Sequence, residues 1–189
     1  MKRLLKHMVA ALLCLVVSPA WAGLEVGKEP KAVTLQEKMG GHLDGRPWSS
    51  EEFKGKVSVV FYVDPDEKDL NNDASEALKE AKFPLEKYQS FGIINMAATW
   101  LPNAAISSSL KKKQKQYPDT IYVRDYKKTL VQEWEIADDT SNVLAFDKNG
   151  LLIFRKDGKL NEEEIKQLVK AIADAIAADD ATGAGAGKD

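Results

Sequence analysis

The strongest constraint on this chain is the run Val57-Ser58-Val59-Val60-Phe61-Tyr62-Val63. Its residues are almost all β-branched or aromatic, and only Ser58 interrupts them. A half-exposed strand would alternate apolar with polar, whereas an unbroken run of this length predicts a central strand covered on both faces. Asp64-Pro65-Asp66 stops it abruptly. A strand buried on two sides needs a layer above and a layer below, and the order of elements around it gives the α/β class, a central mixed β-sheet flanked by helices.

The surrounding sequence supplies those layers. Asp44-Gly45, between Leu43 and Pro47-Trp48, is a type I′ turn signal and predicts an N-terminal β-hairpin extension. Ser49 with Glu52 three residues on reads as a capping box for a short turn through Phe53, ended by Gly55. After the central strand, Asp73 is placed to cap a helix whose stripe is Ala77, Leu78 and Ala81, running to Pro84. Phe91 to Ala97 then reads as a second strand, giving a strand–helix–strand unit with a parallel, right-handed crossover. A helix follows over Ile106 to Tyr117, a strand over Thr120 to Arg124 and a short amphipathic helix over Leu130 to Ile136. Val143 to Phe146 and Leu151 to Arg155 flank Lys148-Asn149-Gly150, an antiparallel hairpin signal. Asn161 caps the last helix, with Glu164 at its third position and Ile165, Leu168, Val169, Ile172 and Ile176 as one stripe. From Asp179 the sequence is low in complexity with little to bury, and residues 179–189 read as a disordered tail.

Before any of this lies a targeting segment. Lys2, Arg3 and Lys6 form a basic n-region, Val9 to Val17 an apolar h-region, and Ala20-Trp21-Ala22 a small-x-small cleavage site after Pro19. Residues 1–22 therefore read as a Sec-type signal peptide cleaved after Ala22, leaving one domain over 23–178 that is periplasmic, with secretion as the alternative. Ala11-Leu12-Leu13 before Cys14 does not have lipobox order. Beyond the signal there is no transmembrane segment, since nothing approaches the roughly 20 apolar residues a spanning helix needs.

Cleavage changes the chemical inventory. The chain has one cysteine, Cys14, and two histidines, His7 and His42, so the mature portion keeps no thiol and one imidazole. Disulfides, thiolate catalysis and Cys/His zinc sites are excluded for it. With 27 Lys+Arg against 29 Asp+Glu, of which the signal removes three bases and no acid, the surface is mildly acidic and gives no sign of nucleic-acid binding.

The order of elements resembles a thioredoxin fold of the extracytoplasmic, TlpA/peroxiredoxin-like type. The likeness is carried by Leu43-Asp44-Gly45-Arg46 before Phe53-Lys54-Gly55-Lys56-Val57, and by Ala145-Phe146-Asp147-Lys148-Asn149-Gly150 before Gly158 and Asn161. More closely, Lys82-Phe83-Pro84, Ser108-Ser109-Leu110, Tyr117-Pro118, Trp134 and Lys156-Asp157-Gly158 are similar to the YtfJ family of small periplasmic proteins. The redox features of the broader fold are missing. Where a thioredoxin carries C-x-x-C at a helix start, this chain has Asp64-Pro65-Asp66-Glu67-Lys68-Asp69, and where the fold places a cis-proline it has Thr140-Ser141-Asn142. The resemblance carries over a location without its chemistry, so Asp64, Asp66, Glu67, Asp69, Ser141 and Asn142 form the candidate binding surface.

Other chemistries fare less well. Asp64, Asp66 and Asp69 are hard oxygen donors suited to calcium or magnesium, yet the loop fails the EF-hand spacing: Asp69 stands where glycine is required and Ser75 where the bidentate glutamate belongs. A solvated turn before a helix N-terminus explains the same acids. Ser107-Ser108-Ser109 lacks the nucleophile elbow, and His42 is an isolated imidazole beside Gly40-Gly41. The basic run Lys111-Lys112-Lys113-Gln114-Lys115 could meet an anionic lipid or a phosphorylated ligand, but reads first as a solvated helix face. Trp48, Trp100 and Trp134 suit the core, with Trp100 the exception, beside Leu101-Pro102-Asn103. The sequence thus favours an exported, cofactor-free binding or adaptor module meeting another envelope protein. Its alternative is a non-thiol, divalent-metal-dependent enzyme built on Asp64 to Asp69.

Overall fold

The computed structural model describes residues 23–185; the predicted signal peptide and residues 186–189 lie outside the described residues. The central strand, β4 (Val57–Val63), pairs in parallel with β5 (Tyr88–Asn95) and antiparallel with β7 (Ser141–Phe146). Beyond β5 lies parallel β6 (Thr120–Asp125), edged by antiparallel β2 (Gly40–His42); beyond β7 lies antiparallel β8 (Leu152–Asp157). The sheet order is β2-β6-β5-β4-β7-β8, the mixed sheet anticipated from the sequence.

The N-terminal antiparallel extension is present, but its pairing differs from a simple hairpin. The Asp44-Gly45 turn forms, with His42 N–H donating to Arg46 O at 3.0 Å. Its arms then diverge: β2 joins β6, while β3 (Trp48–Ser49) pairs with β1 (Thr34–Leu35) in a separate two-stranded sheet. Gly40 and Gly41 explain the capture of β2, because they hold φ of +138° and +127° and a Cβ on Gly40 would lie 1.9 Å from Arg124 O. Only glycine lets the two backbones come this close.

Each face of β4 is covered differently. Val60 and Tyr62 point to a core closed by Leu35, Trp48, Leu130 and Trp134, where α3 (Thr129–Trp134) packs. Phe53, at the end of the 3₁₀ turn Ser50–Phe53, sits at its centre. Its ring stacks on Phe146 at 4.6 Å and meets Phe91 edge-on at 5.0 Å and Trp48 at 5.6 Å. The predicted capping box closes that turn, Glu52 Oε1 accepting from Ser49 N–H at 3.2 Å. On the other face, Val57 and Val59 meet α1 (Asn72–Ala81) through Ala74 and Leu78, and α4 (Glu162–Gly185) through Leu168 and Ile172.

Two helix ends depart from the sequence reading. Helix α1 is capped at Asn71, with Asp73 inside its first turn. Asn71 is buried because it works across the fold: its Nδ2 donates to Ser141 O, Ser141 Oγ and Gly158 O at 3.1 to 3.3 Å, and its Oδ1 accepts from Leu160 N–H at 2.9 Å. Helix α4 starts at the predicted reciprocal Asn161/Glu164 box. It does not end at Ala178, where a disordered tail was expected, but continues through Gly185. Asp179 pairs with Lys148 and Asp180 with Lys87, so the acids of the presumed tail dock one side of an alanine-rich helix.

Phe53→Ala should cost about 3–5 kcal/mol, since four aromatic rings lose their common neighbour; equilibrium urea unfolding of the mature chain measures it. Asn71→Ala should cost about 1–3 kcal/mol through the unpaired Leu160 amide, while Asn72→Ala, an exposed neighbour, should stay within about 0.5 kcal/mol in the same titration.

Candidate functional site

The six predicted surface residues do not form one surface. Asp64 is buried, its Oδ1 accepting from Asp66 N–H at 2.9 Å and so capping the 3₁₀ turn Pro65–Glu67. Burial holds its carboxyl above the usual range, helped by Asp66, Asp139 and Glu67 nearby and opposed by the Asp66 amide. Asp66 and Glu67 are exposed, and exposed Asp69 turns to Lys68 at 3.3 Å and to Asn72. Those two hydrogen bonds keep the Asp69 carboxyl low. With Asp64 facing inward and Asp69 outward, the three carboxylates do not converge, and among the described residues no group of three metal-ligating side chains gathers anywhere.

Ser141 and Asn142 are buried as well, contrary to their expected exposure. Strand β7 begins at Ser141, two residues before the predicted start, and alternation sends the two side chains to opposite faces. Ser141 faces α1 and Asn71. Asn142, register partner of Tyr62, donates to Ala137 O at 2.8 Å on the far side, and its Oδ1 has no partner among the described residues. Tyr62 Oη donates there to Asp125 Oδ2 at 3.2 Å; burial first, and then the Asp125 charge, push the phenol far above its usual range. Asp125 also accepts from Leu130 N–H at 3.0 Å, so this cluster anchors the start of α3. His42 belongs to neither place. It is buried on the sheet edge with Nε2 3.0 and 3.1 Å from the two oxygens of Glu52.

What Asp66 and Ser141 do share is a cleft. Helix α2 (Asn103–Gln116) leans over β6 through Ile106 and Leu110, which pack on Ile94 and Met96, while α1 leans toward α4. Between the two helices the sheet is left uncovered, and a cavity of about 490 Å³ opens there. Its floor is Phe61 and Val63 of β4, Gly92 and Ile94 of β5 and Tyr122 of β6. Gly92 is what lets Tyr122 lie flat, since a Cβ on it would stand 2.9 Å from that ring. Burial raises the Tyr122 phenol above its usual range. The wall on the α2 side carries Ser109 and Lys113, and the rim toward the former redox position carries Pro65, Asp66 and Lys68. A volume in the range of roughly 300–1,000 Å³, an apolar floor and a few polar groups at the edge are the attributes of a small-molecule site. Sequence reasoning missed this cleft; the signals present were Gly92 inside a strand run and the lysines of α2.

Comparison with known proteins bears on the fold and the family. Solved structures similar to the chain are the exposed lipoprotein thioredoxin of Streptococcus pneumoniae (TM-score 0.52, 18% identical, covering 74% of this chain and 98% of that one) and a putative thiol:disulfide interchange protein DsbE of Chlorobium tepidum (TM-score 0.54, 14%, 81% and 99%). At such identities they establish a thioredoxin-like fold. By sequence, the chain is 30% identical over 128 residues to the uncharacterized protein YtfJ of Escherichia coli strain K12, covering 66% of this chain and 69% of that protein. It is 27% identical over 179 residues to an uncharacterized protein of Haemophilus influenzae, covering 89% and 97%. The profile of the family described as "Bacterial protein of unknown function (YtfJ_HI0045)" matches residues 28–175. With that match over most of its length, and on a thioredoxin-like sheet, the chain belongs to the YtfJ family.

Proposed function

We propose that this protein is an exported, non-redox binding module of the cell envelope whose recognition site is the cleft between α1 and α2. The observation that carries the reading is the cavity of about 490 Å³, with an apolar floor and a polar rim, opening beside the position where redox thioredoxins keep their thiols. A single cysteine, Cys14, in the predicted signal leaves no pair for thiol–disulfide exchange. The acidic turn is occupied with its own hydrogen bonds, Asp64 to the Asp66 amide and Asp69 to Lys68 and Asn72, which favours a structural part for it over a catalytic one. Trp100, 87% exposed in the loop before α2, supplies an aromatic anchor near the rim residue Leu101 for an envelope protein that reads the loaded or empty state. Export itself rests on Lys2, Arg3, Lys6, the apolar run and Ala20-Trp21-Ala22.

Titration with the neutral fluorophore N-phenyl-1-naphthylamine should show one saturable, blue-shifted site, and Ser109→Trp, which fills the cleft from an exposed position of α2, should abolish it without altering the melting temperature. Absence of saturable binding, or a Ser109→Trp protein that binds as before, would overturn the reading. Intact-mass analysis of protein from the periplasmic fraction should give a chain starting at Gly23; an uncleaved chain, or its recovery from the cytosol, would overturn export.

A further inference from the structure

We propose that the ligand of this cleft is a free amphiphile with an apolar body and a single anionic head group of the carboxylate class, and that Lys113 receives the anion. This rests on the cleft being the recognition site and adds the chemistry of what it recognises.

The sequence of α2, from Asn103 to Gln116, contains no acid and four lysines. Lys111, Lys112 and Lys115 are exposed and hydrated, as basic residues near a helix C-terminus commonly are. Lys113 differs from them. It is half-buried, lines the cleft, and its ammonium forms no ion pair among the described residues. Of the neighbouring charges, Lys68 also lines the rim and contacts Asp69 at 3.3 Å, Asp69 also feels the Lys113 charge without contacting it, and Asp66 is the one acid in the lining. The lining therefore carries one more cation than anions.

Partial removal of an ammonium from water with no counter-charge in contact costs free energy, and closing a ligand over it raises that cost. A bound carboxylate offsets it with a charge-assisted hydrogen bond, whereas a neutral ligand leaves it uncompensated and a cationic one adds repulsion. The floor of Phe61, Val63, Ile94 and Tyr122 meanwhile offers no charged group, so the rest of the ligand must be apolar. One head at the α2 wall and one apolar body along the β4–β5 floor satisfy both requirements.

Displacement of N-phenyl-1-naphthylamine from the mature protein by decanoate, 1-decanol and decyltrimethylammonium separates the possibilities. Decanoate should displace at a concentration about ten-fold lower than 1-decanol, the size of one charge-assisted contact, with the cation weakest. Lys113→Met should erase that preference while leaving 1-decanol unchanged, and Lys113→Arg should retain it. Equal displacement by decanoate and 1-decanol, or a preference surviving in Lys113→Met, would overturn the anion assignment while the cleft remained a binding site. Failure of all three to displace the probe would overturn both. Lys113-dependent sedimentation with phosphatidylglycerol vesicles, with no displacement by decanoate, would place the anion on a membrane surface and overturn the free-ligand proposal.

Discussion

Everything in this fold answers to the desolvation of β4. Val57, Val59, Val60 and Tyr62 are all at most 2% exposed, so both faces of one strand must be covered by different parts of the chain. One cover is aromatic and local: the 3₁₀ turn that precedes β4 folds Phe53 back onto Phe146, Phe91 and Trp48. The other is helical and remote, with α4 reaching Val59 from the far end of the sequence through Leu168 and Ile172. Each side chain of this size contributes about 1.5–3 kcal/mol when taken out of water, which makes β4 the element least able to tolerate a polar substitution.

That burial also fixes what can happen at the strand's C-terminal end. In a thiol oxidoreductase the turn after this strand presents a thiolate to a helix N-terminus. Here Asp64 is drawn into the protein as the strand ends, and its carboxylate accepts from the Asp66 amide two residues on. Asn71 stands at the N-terminal boundary of α1 but spends both ends of its side-chain amide on β7 and the start of α4. The place where chemistry occurs in redox relatives of the fold has become a knot of structural hydrogen bonds.

The sequence made the buried elements legible and left the cleft unread, for a physical reason in each case. Val57 to Val63 declared itself because a doubly covered strand has no other composition, and Ser49/Glu52 and Asn161/Glu164 because capping is a local reciprocal bond. The Asp44-Gly45 turn was correct, yet the partners of its arms were decided by β6 and β1, far away in sequence. Ser141 and Asn142 were misplaced because two residues of extra pairing to β4 turn an apparent loop into strand, with alternation then splitting them between faces. Residues 179–185 lack an apolar stripe, which hides their helicity; the ion pairs to Lys87 and Lys148 come from elements that local pattern does not see.

A cleft depends on where two helices fail to meet, and no periodicity encodes a failure to meet. Its cause is a division of loyalties: α1 is bound to α4 through the face shared with Val59, and α2 to β6 through Ile106 and Leu110. Phe61 and Val63 are left only partly buried between them, Phe61 against the α1–α4 side and Val63 against the α2 side. A gap of this kind forfeits the dispersion contacts that close packing gives elsewhere in the sheet. Gly92 deepens it by admitting the Tyr122 ring where a side chain would otherwise fill the space. An apolar floor and a half-buried lysine left facing such a gap each cost stability, and a ligand that occupied it would stabilise the folded chain by mass action.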